Sequence, residues 1–214
     1  MTTPSWDDAY TGRVPAPWDI GQPQPAFVRL ARQGLLTGRL LDAGCGTGEQ
    51  TLLAASSGAD ALGVDVSPLA IERARGKAAA RGVPAAAGGQ MGTARFEVAD
   101  ALSLADLGQS FDTILDSGLF HVFDDGNRAR YVTSLASVLR PGGRLYLMCF
   151  SDRQPGTFGP RRVSQDELRA AFSDGWTIVA IQADAFEVNR GFFDGTTTQA
   201  WLATVSRANG SDPS

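Results

Sequence analysis

A run of acids and glycines carries the chemistry that this sequence announces. Residues 40–50 read LLDAGCGTGEQ, with Gly44, Gly46 and Gly48 at alternate positions, Asp42 just before them and Glu49 just after. Glycines so spaced let backbone N–H groups approach a ligand closely, because no Cβ intervenes. A dinucleotide site wants G-x-G-x-x-G, with a pyrophosphate over a helix N-terminus. Here the register is G-x-G-x-G, and Glu49 stands where that last glycine would be. Two carboxylates would repel a pyrophosphate. They suit a ligand with cationic groups and no phosphate. Asp65, followed by Val66, lies about 20 residues past the first glycine, where a ribose-binding acid is expected. Asp100, Asp116 and His121, the only histidine, complete the set. Histidine alone has an unperturbed pKa suited to taking a proton near neutrality.

The elements that must position these groups alternate. Residues 40 and 41 end an apolar run that reads as a buried strand, and residues 49–57 read as a helix after the glycine turn. Residues 61–67 and 94–100 read as further strands ending near Asp65 and Asp100, and residues 111–123 as a fourth strand with its exit loop, carrying Asp116 and His121. Ser67 is placed to cap a helix whose first residue is Pro68. Residues 127–143 read as a helix closed by Pro141 and two glycines, followed by a fifth strand. Ser164 and Glu167 form a capping box for another helix. Residues 176–188 and 196–206 read as two strands whose connection is too short for a crossover helix, so they must pair antiparallel. The expected fold is α/β: a seven-stranded, mostly parallel sheet with an antiparallel C-terminal strand and helices on both faces. Residues 1–24, with four prolines, two tryptophans and a tyrosine, predict no long helix. They read as a short tail followed by an ordered aromatic cap over the site. Residues 25–207 then form one domain, and 208–214 a disordered tail.

This order of motifs resembles that of class I S-adenosylmethionine-dependent methyltransferases, with their Rossmann-like fold. S-adenosylmethionine is a ligand of the expected kind, with a sulfonium, an ammonium, a carboxylate and an adenosine. The run PWDIGQPQPAF further resembles the N-terminal segment of thiopurine and halide/thiol methyltransferases and of bacterial enzymes acting on heterocyclic toxins. The resemblance implies that Gly44, Gly46, Gly48, Asp42, Asp65, Val66 and Asp116 border the cofactor. It implies that Asp100 and Ala101 face adenine, and that Trp18 lies against cofactor or substrate. Trp18, Phe120 and Phe123 would form an aromatic wall around a planar acceptor, with His121 and Asp116 as the catalytic pair. The expected activity is O-, N- or S-methylation of a small aromatic or heterocyclic molecule, in detoxification or secondary metabolism. Two alternatives stay open on the residues: a non-catalytic S-adenosylmethionine-binding module, and an NAD-dependent oxidoreductase. The register at Glu49 and the antiparallel tail speak against the second. No Asn-Pro-Pro-Tyr motif follows the fourth strand, where the chain reads DSGL, and this argues against methylation of nucleic acid bases or protein amides.

Composition narrows the partners. With 214 residues the chain is long enough for one sizeable core. A net charge of -4 with scattered basic residues gives no electrostatic footprint for nucleic acid. No apolar run approaches the length of a membrane span. Cys45 and Cys149 sit in apolar contexts and read as buried, reduced thiols. One histidine and no acid cluster at ligand spacing predict no metal. The expectation is a cytoplasmic protein, a monomer or homodimer, whose partner is a small-molecule acceptor.

Overall fold

Apolar runs of five to seven residues make the central strands, because both faces of a parallel sheet are covered. The computed structural model describes residues 6–12, 15–84 and 92–209. It contains strands β1 (Arg39–Ala43), β2 (Asp60–Asp65), β3 (Thr93–Val98), β4 (Phe111–Ser117), β5 (Leu139–Phe150), β6 (Trp176–Glu187) and β7 (Thr197–Arg207). They form one seven-stranded sheet in the order β3-β2-β1-β4-β5-β7-β6. The first five are mutually parallel, and β7 runs antiparallel to both β5 and β6. The expected architecture is therefore observed. The expectations for residues 1–5 and 210–214 lie outside the described residues.

The helices are α1 (Asp8–Thr11), α2 (Pro25–Arg32), α3 (Glu49–Ser56), α4 (Pro68–Ala80), α5 (Asp125–Val138) and α6 (Gln165–Ala171). Leu41, Leu62, Ile114 and Leu145 face one layer, with Tyr131 and Leu135 of α5 and Leu168 of α6. Leu40, Ala61, Leu115 and Met148 face the other, with Phe27 of α2, Leu52 of α3 and Ile71 of α4. The caps follow the sequence. Ser67 accepts from the Ala70 N–H, and Ser164 and Glu167 close a complete capping box.

One boundary needs correction. Helix α5 ends at Val138, before the expected Pro-Gly-Gly stop, and Leu139 already pairs with Phe111 of β4. A residue before proline disfavours the helical region, so Arg140 cannot extend the helix and the chain turns into β5 early.

At the sheet's carboxyl edge lie the glycine turn, the ends of β2 and β3, the 118–123 loop, the 151–163 segment and the 188–196 loop. Open α/β sheets bind ligands along this edge.

Candidate active site

The glycine turn is held from beneath by main-chain bonds. Gly44 and Cys45 each donate an N–H to the Val64 carbonyl at 2.9 Å. Gly46 takes φ +52, and a Cβ there would stand 3.1 Å from the Tyr10 hydroxyl. Gly48 takes φ +86 as the N-cap of α3, and a Cβ there would come within 2.7 Å of the Phe96 ring. Neither position accepts another residue without strain.

Asp65 ties the turn to the end of β2. Its two oxygens accept the N–H groups of Gly46 and Ser67, both at 2.9 Å. Burial pushes its carboxyl up, against the opposing pull of those two bonds. Each oxygen keeps a lone pair for a further donor, such as a ribose hydroxyl. Asp42 is 1% exposed. One oxygen accepts from the Thr51 hydroxyl at 2.7 Å, and the other has no hydrogen-bond partner among the described residues. Burial, with a smaller contribution from the Asp65 charge, pushes its carboxyl up to about 7. An orphaned buried carboxylate oxygen beside the turn fits a cationic ligand, because a nearby positive charge favours the ionised form.

Glu49 corrects the sequence reading. Lys77 of α4 and Arg81, the C-cap of that helix, hold it by ion pairs at 2.8 Å. Burial alone would raise its pKa, but the hydrogen bonds from Arg81 and Lys77 outweigh it and hold the carboxyl below its ordinary value. Its charge is neutralised within the protein, so it no longer argues against a phosphate ligand. The argument for a cation rests on Asp42.

The N-terminal segment packs over this turn. Tyr10 is 4% exposed. Its hydroxyl accepts from the Trp18 indole N–H at 3.3 Å, and its carbonyl accepts from Arg73. Ser67 donates to Asp7, and Thr47 donates to Asp19 at 2.7 Å. Trp18 itself is 44% exposed and meets Trp6 edge-on. Val66 is exposed at the same edge. Asp100 caps the turn that begins at Ala101, accepting the Leu102 N–H at 2.9 Å.

The fourth strand's exit differs most from expectation. Asp116 is fully buried, and its oxygens accept from the Leu119 N–H (2.7 Å), the Phe120 N–H (3.0 Å) and the Tyr131 hydroxyl (3.0 Å). Burial pushes its carboxyl up to about 7. It braces the loop with three bonds from a fully buried position, which is unlike a group meant for substrate. His121 is 5% exposed, and its Nδ1 accepts the Phe150 N–H at 2.9 Å. Burial, then the charges of Arg128 and Arg162, push its pKa down to about 3. Its proton therefore sits on Nε2, the ring edge that lies over Gly118. An imidazole fixed in that tautomer is a donor, and the expected base is not available there. Phe120 turns inward, stacked on Phe172 at 5.8 Å beneath the Arg128 guanidinium. Phe123 packs on Tyr131 at 5.0 Å. Of the expected aromatic wall, Phe120 and Phe123 thus pack on the core while Trp18 stays exposed, because the short 3₁₀ turn at Phe120–Val122 aims Phe120 into the α5–α6 layer.

An aromatic wall does exist further along the edge. A cavity of about 740 Å³ opens between the 154–158 loop and the 188–196 loop, lined by Phe158, Phe192, Phe193 and Thr198 among others. Arg162 holds one wall in shape. Its guanidinium donates to the carbonyls of Gln154, Pro155, Gly156, Phe158 and Pro160 at 2.6–3.2 Å, and lies over the Phe150 ring. Phe193 meets both Phe158 and Phe150 edge-on, and Phe150 meets His121. Thr198 is 2% exposed, and its hydroxyl has no hydrogen-bond partner. Sequence reading missed this cavity. Its signal was the aromatic residues set among glycines in GTFG and RGFFDG.

Comparison with known proteins identifies the class. Residues 40–143 match the family described as a methyltransferase domain. The 2-heptyl-1-hydroxyquinolin-4(1H)-one methyltransferase of Mycobacteroides abscessus is 36% identical over 199 residues, 89% of this chain and 84% of that protein. The chain belongs to the class I S-adenosylmethionine-dependent methyltransferases, and S-adenosylmethionine is its methyl donor. A solved structure from work on the conversion of a disulfide bond into a thioacetal group during echinomycin biosynthesis is 38% identical. It superposes with a TM-score of 0.82 over 96% of this chain and 93% of that one. The "Probable thiol methyltransferase 2" of Arabidopsis thaliana is 30% identical over 76% of this chain and 67% of its own length.

Proposed function

We propose that this enzyme methylates a small aromatic or heterocyclic acceptor at an atom that ionises readily, such as a ring N-hydroxyl or a thiol, in detoxification or secondary metabolism. The observation that carries this reading is the pairing of an aromatic-walled cavity with a neutral, tautomer-fixed histidine on the same sheet edge as the glycine turn. S-adenosylmethionine supplies the electrophilic methyl group, as cofactors supply the difficult chemistry generally. The protein then has to hold the acceptor atom roughly 3 to 3.5 Å from that methyl, aligned and dry. Asp65 and the glycine turn bind the cofactor. Asp42 balances its positive charge. Residues 6–12 and 15–24, with Tyr10 and Trp18, cap it. Phe158, Phe192 and Phe193 grip the planar acceptor, and the Nε2–H of His121 orients it. With His121 neutral and Asp116 engaged, an unactivated alcohol finds no base here. The relatives' names, a 1-hydroxyquinolinone and a thiol, agree with this restriction. No helix among the described residues is long and apolar enough to cross a membrane.

An acceptor screen with methyl-labelled S-adenosylmethionine tests the reading. Label should pass to 2-heptyl-1-hydroxyquinolin-4(1H)-one or to an aryl thiol, and not to a simple alcohol. Binding of S-adenosylmethionine with no transfer to any acceptor would favour a non-catalytic module. His121→Ala should lower turnover less than tenfold on an ionised acceptor, below the roughly 10²- to 10⁴-fold contribution of a true base. A larger loss, with a histidine limb vanishing from the pH–rate profile, would restore the base.

A further inference from the structure

The cap over the glycine turn and the wall of the aromatic cavity meet at one side chain. Asn189 opens the 188–196 loop that carries Phe192 and Phe193. Its own N–H donates to the Pro17 carbonyl at 2.9 Å. Its side-chain amide donates to the carbonyls of Ala16 at 2.7 Å and Asp19 at 3.0 Å. Three bonds from one residue therefore clasp the chain on both sides of Trp18. The contacts continue from there. The Asp19 carboxylate accepts from Thr47, which lies between Gly46 and Gly48, and Lys77 donates to that Thr47 hydroxyl at 2.6 Å. An unbroken series of hydrogen bonds thus runs from the glycine turn through Asp19 to the cavity wall.

Resting on the reading above, we infer that Asn189 is a positioning residue, which couples seating of the cofactor on the glycine turn to closure of the acceptor wall. Residue chemistry supports the assignment. Only an amide of this length offers two N–H donors to carbonyls three residues apart while its own backbone N–H reaches a third. Asparagine is not needed to root the loop, because Gln24 already does so. Its side chain accepts the Glu187 N–H at 2.8 Å and donates to the Glu187 carbonyl at 2.9 Å, at the end of β6. Asn189 adds a link toward the cap that mere anchoring does not require. Coupling between sites needs such a contiguous element, contacted from both ends. The consequence is an order of events, in which the acceptor wall takes its working shape after the cofactor is bound.

Hydrogen exchange with S-adenosylhomocysteine as the probe, and no acceptor present, tests this. In the wild-type protein the probe should slow exchange both in residues 15–20 and in residues 188–196, the latter by at least about fivefold, the lower end of ordinary coupling between sites. In Asn189→Ala the response of residues 15–20 should persist and that of 188–196 should vanish. Asn189→Asp keeps the backbone bond and the shape but loses both side-chain donors, and should behave likewise. Asp19→Ala cuts the same path on the cofactor side and should also silence the loop, should the Asn189 variants fail to fold. If loop exchange in the Asn189 variants is faster throughout, yet slows on probe binding by the wild-type factor, Asn189 is only a staple and the inference fails. It fails too if the wild-type loop ignores a probe that protects the cap. A wild-type protein that does not bind the probe at all would instead overturn the cofactor reading, and calorimetry shows that before any variant is made.

Discussion

The two ends of the carboxyl edge are built by opposite rules. Around β1 to β3, backbone groups and backbone conformations make the site. Gly46 and Gly48 hold left-handed geometry, Val64 offers its carbonyl, and Asp65 takes two N–H groups. Such a site demands particular residue types at particular positions. Around β5 to β7, side chains reach across to whatever main chain lies opposite. Arg162 binds five carbonyls and Asn189 binds two, and a carbonyl carries no residue identity. The first end is fixed by residue type, the second by reach.

That contrast can be broken by experiment. The largest effect is expected at Asp65. Removing its carboxylate in Asp65→Ala takes away the anchor of Gly46 and, on the proposed role of Asp65, charge-assisted bonds to the ribose, each worth about 1.5 to 3 kcal/mol. Cofactor affinity by calorimetry should fall at least roughly tenfold, with little change in acceptor KM. Unchanged affinity would remove Asp65 from the site. Next comes Arg162→Ala, which frees the 154–160 loop. Acceptor KM should rise roughly tenfold while cofactor Kd holds, the signature of lost acceptor binding alone. Should cofactor Kd weaken as much as acceptor KM rises, coupling between the ends is not confined to the Asn189 path and the contrast collapses.

The smallest effect is on stability. Asp116 carries a carboxyl raised to about 7 in the folded chain, from an ordinary value of 3.8. Between those values the folded state binds more protons than the unfolded one, so stability falls as pH rises from about 4 to 7 and levels off above. The thermal midpoint of the cofactor-free protein, taken relative to that of Asp116→Asn, should therefore drop by a few degrees across that window. Asp116→Asn removes this contribution, and the slope that remains is the balance of Asp42 and Asp65, raised in the same way, against His121, whose lowered value acts in the opposite direction. An identical slope in the variant would show that Asp116 stays ionised throughout.

What the sequence revealed follows the same division. The buried strands, the capping box at Ser164 and the acid at Asp65 were legible because local pattern dictates them. The roles of Glu49 and His121 were not. The partners of Glu49 lie 28 and 32 residues away, on α4 and at its C-cap, and no spacing tells which way its side chain turns. The tautomer of His121 is set by a backbone N–H 29 residues later. Phe120 looked like part of a binding wall because aromatics near a reaction site attract that reading. Its burial against Phe172 depends on where α6 packs, which is a tertiary fact.

The carbonyl-only grip of Arg162 bears on how such an enzyme can change. Side chains from Pro155 to Phe158 contribute nothing to the bonds that shape their own loop. Gly156, at φ +72, is part of a fixed frame, in which Thr157 and Phe158 are exchangeable panels. Mutation there can alter what the cavity accepts without first destabilising the cavity, and without disturbing the glycine turn at the other end of the sheet. A lineage can thus retune its acceptor by small, separately tolerated steps. A library randomised at Thr157 and Phe158, with Arg162 kept, explores that freedom directly.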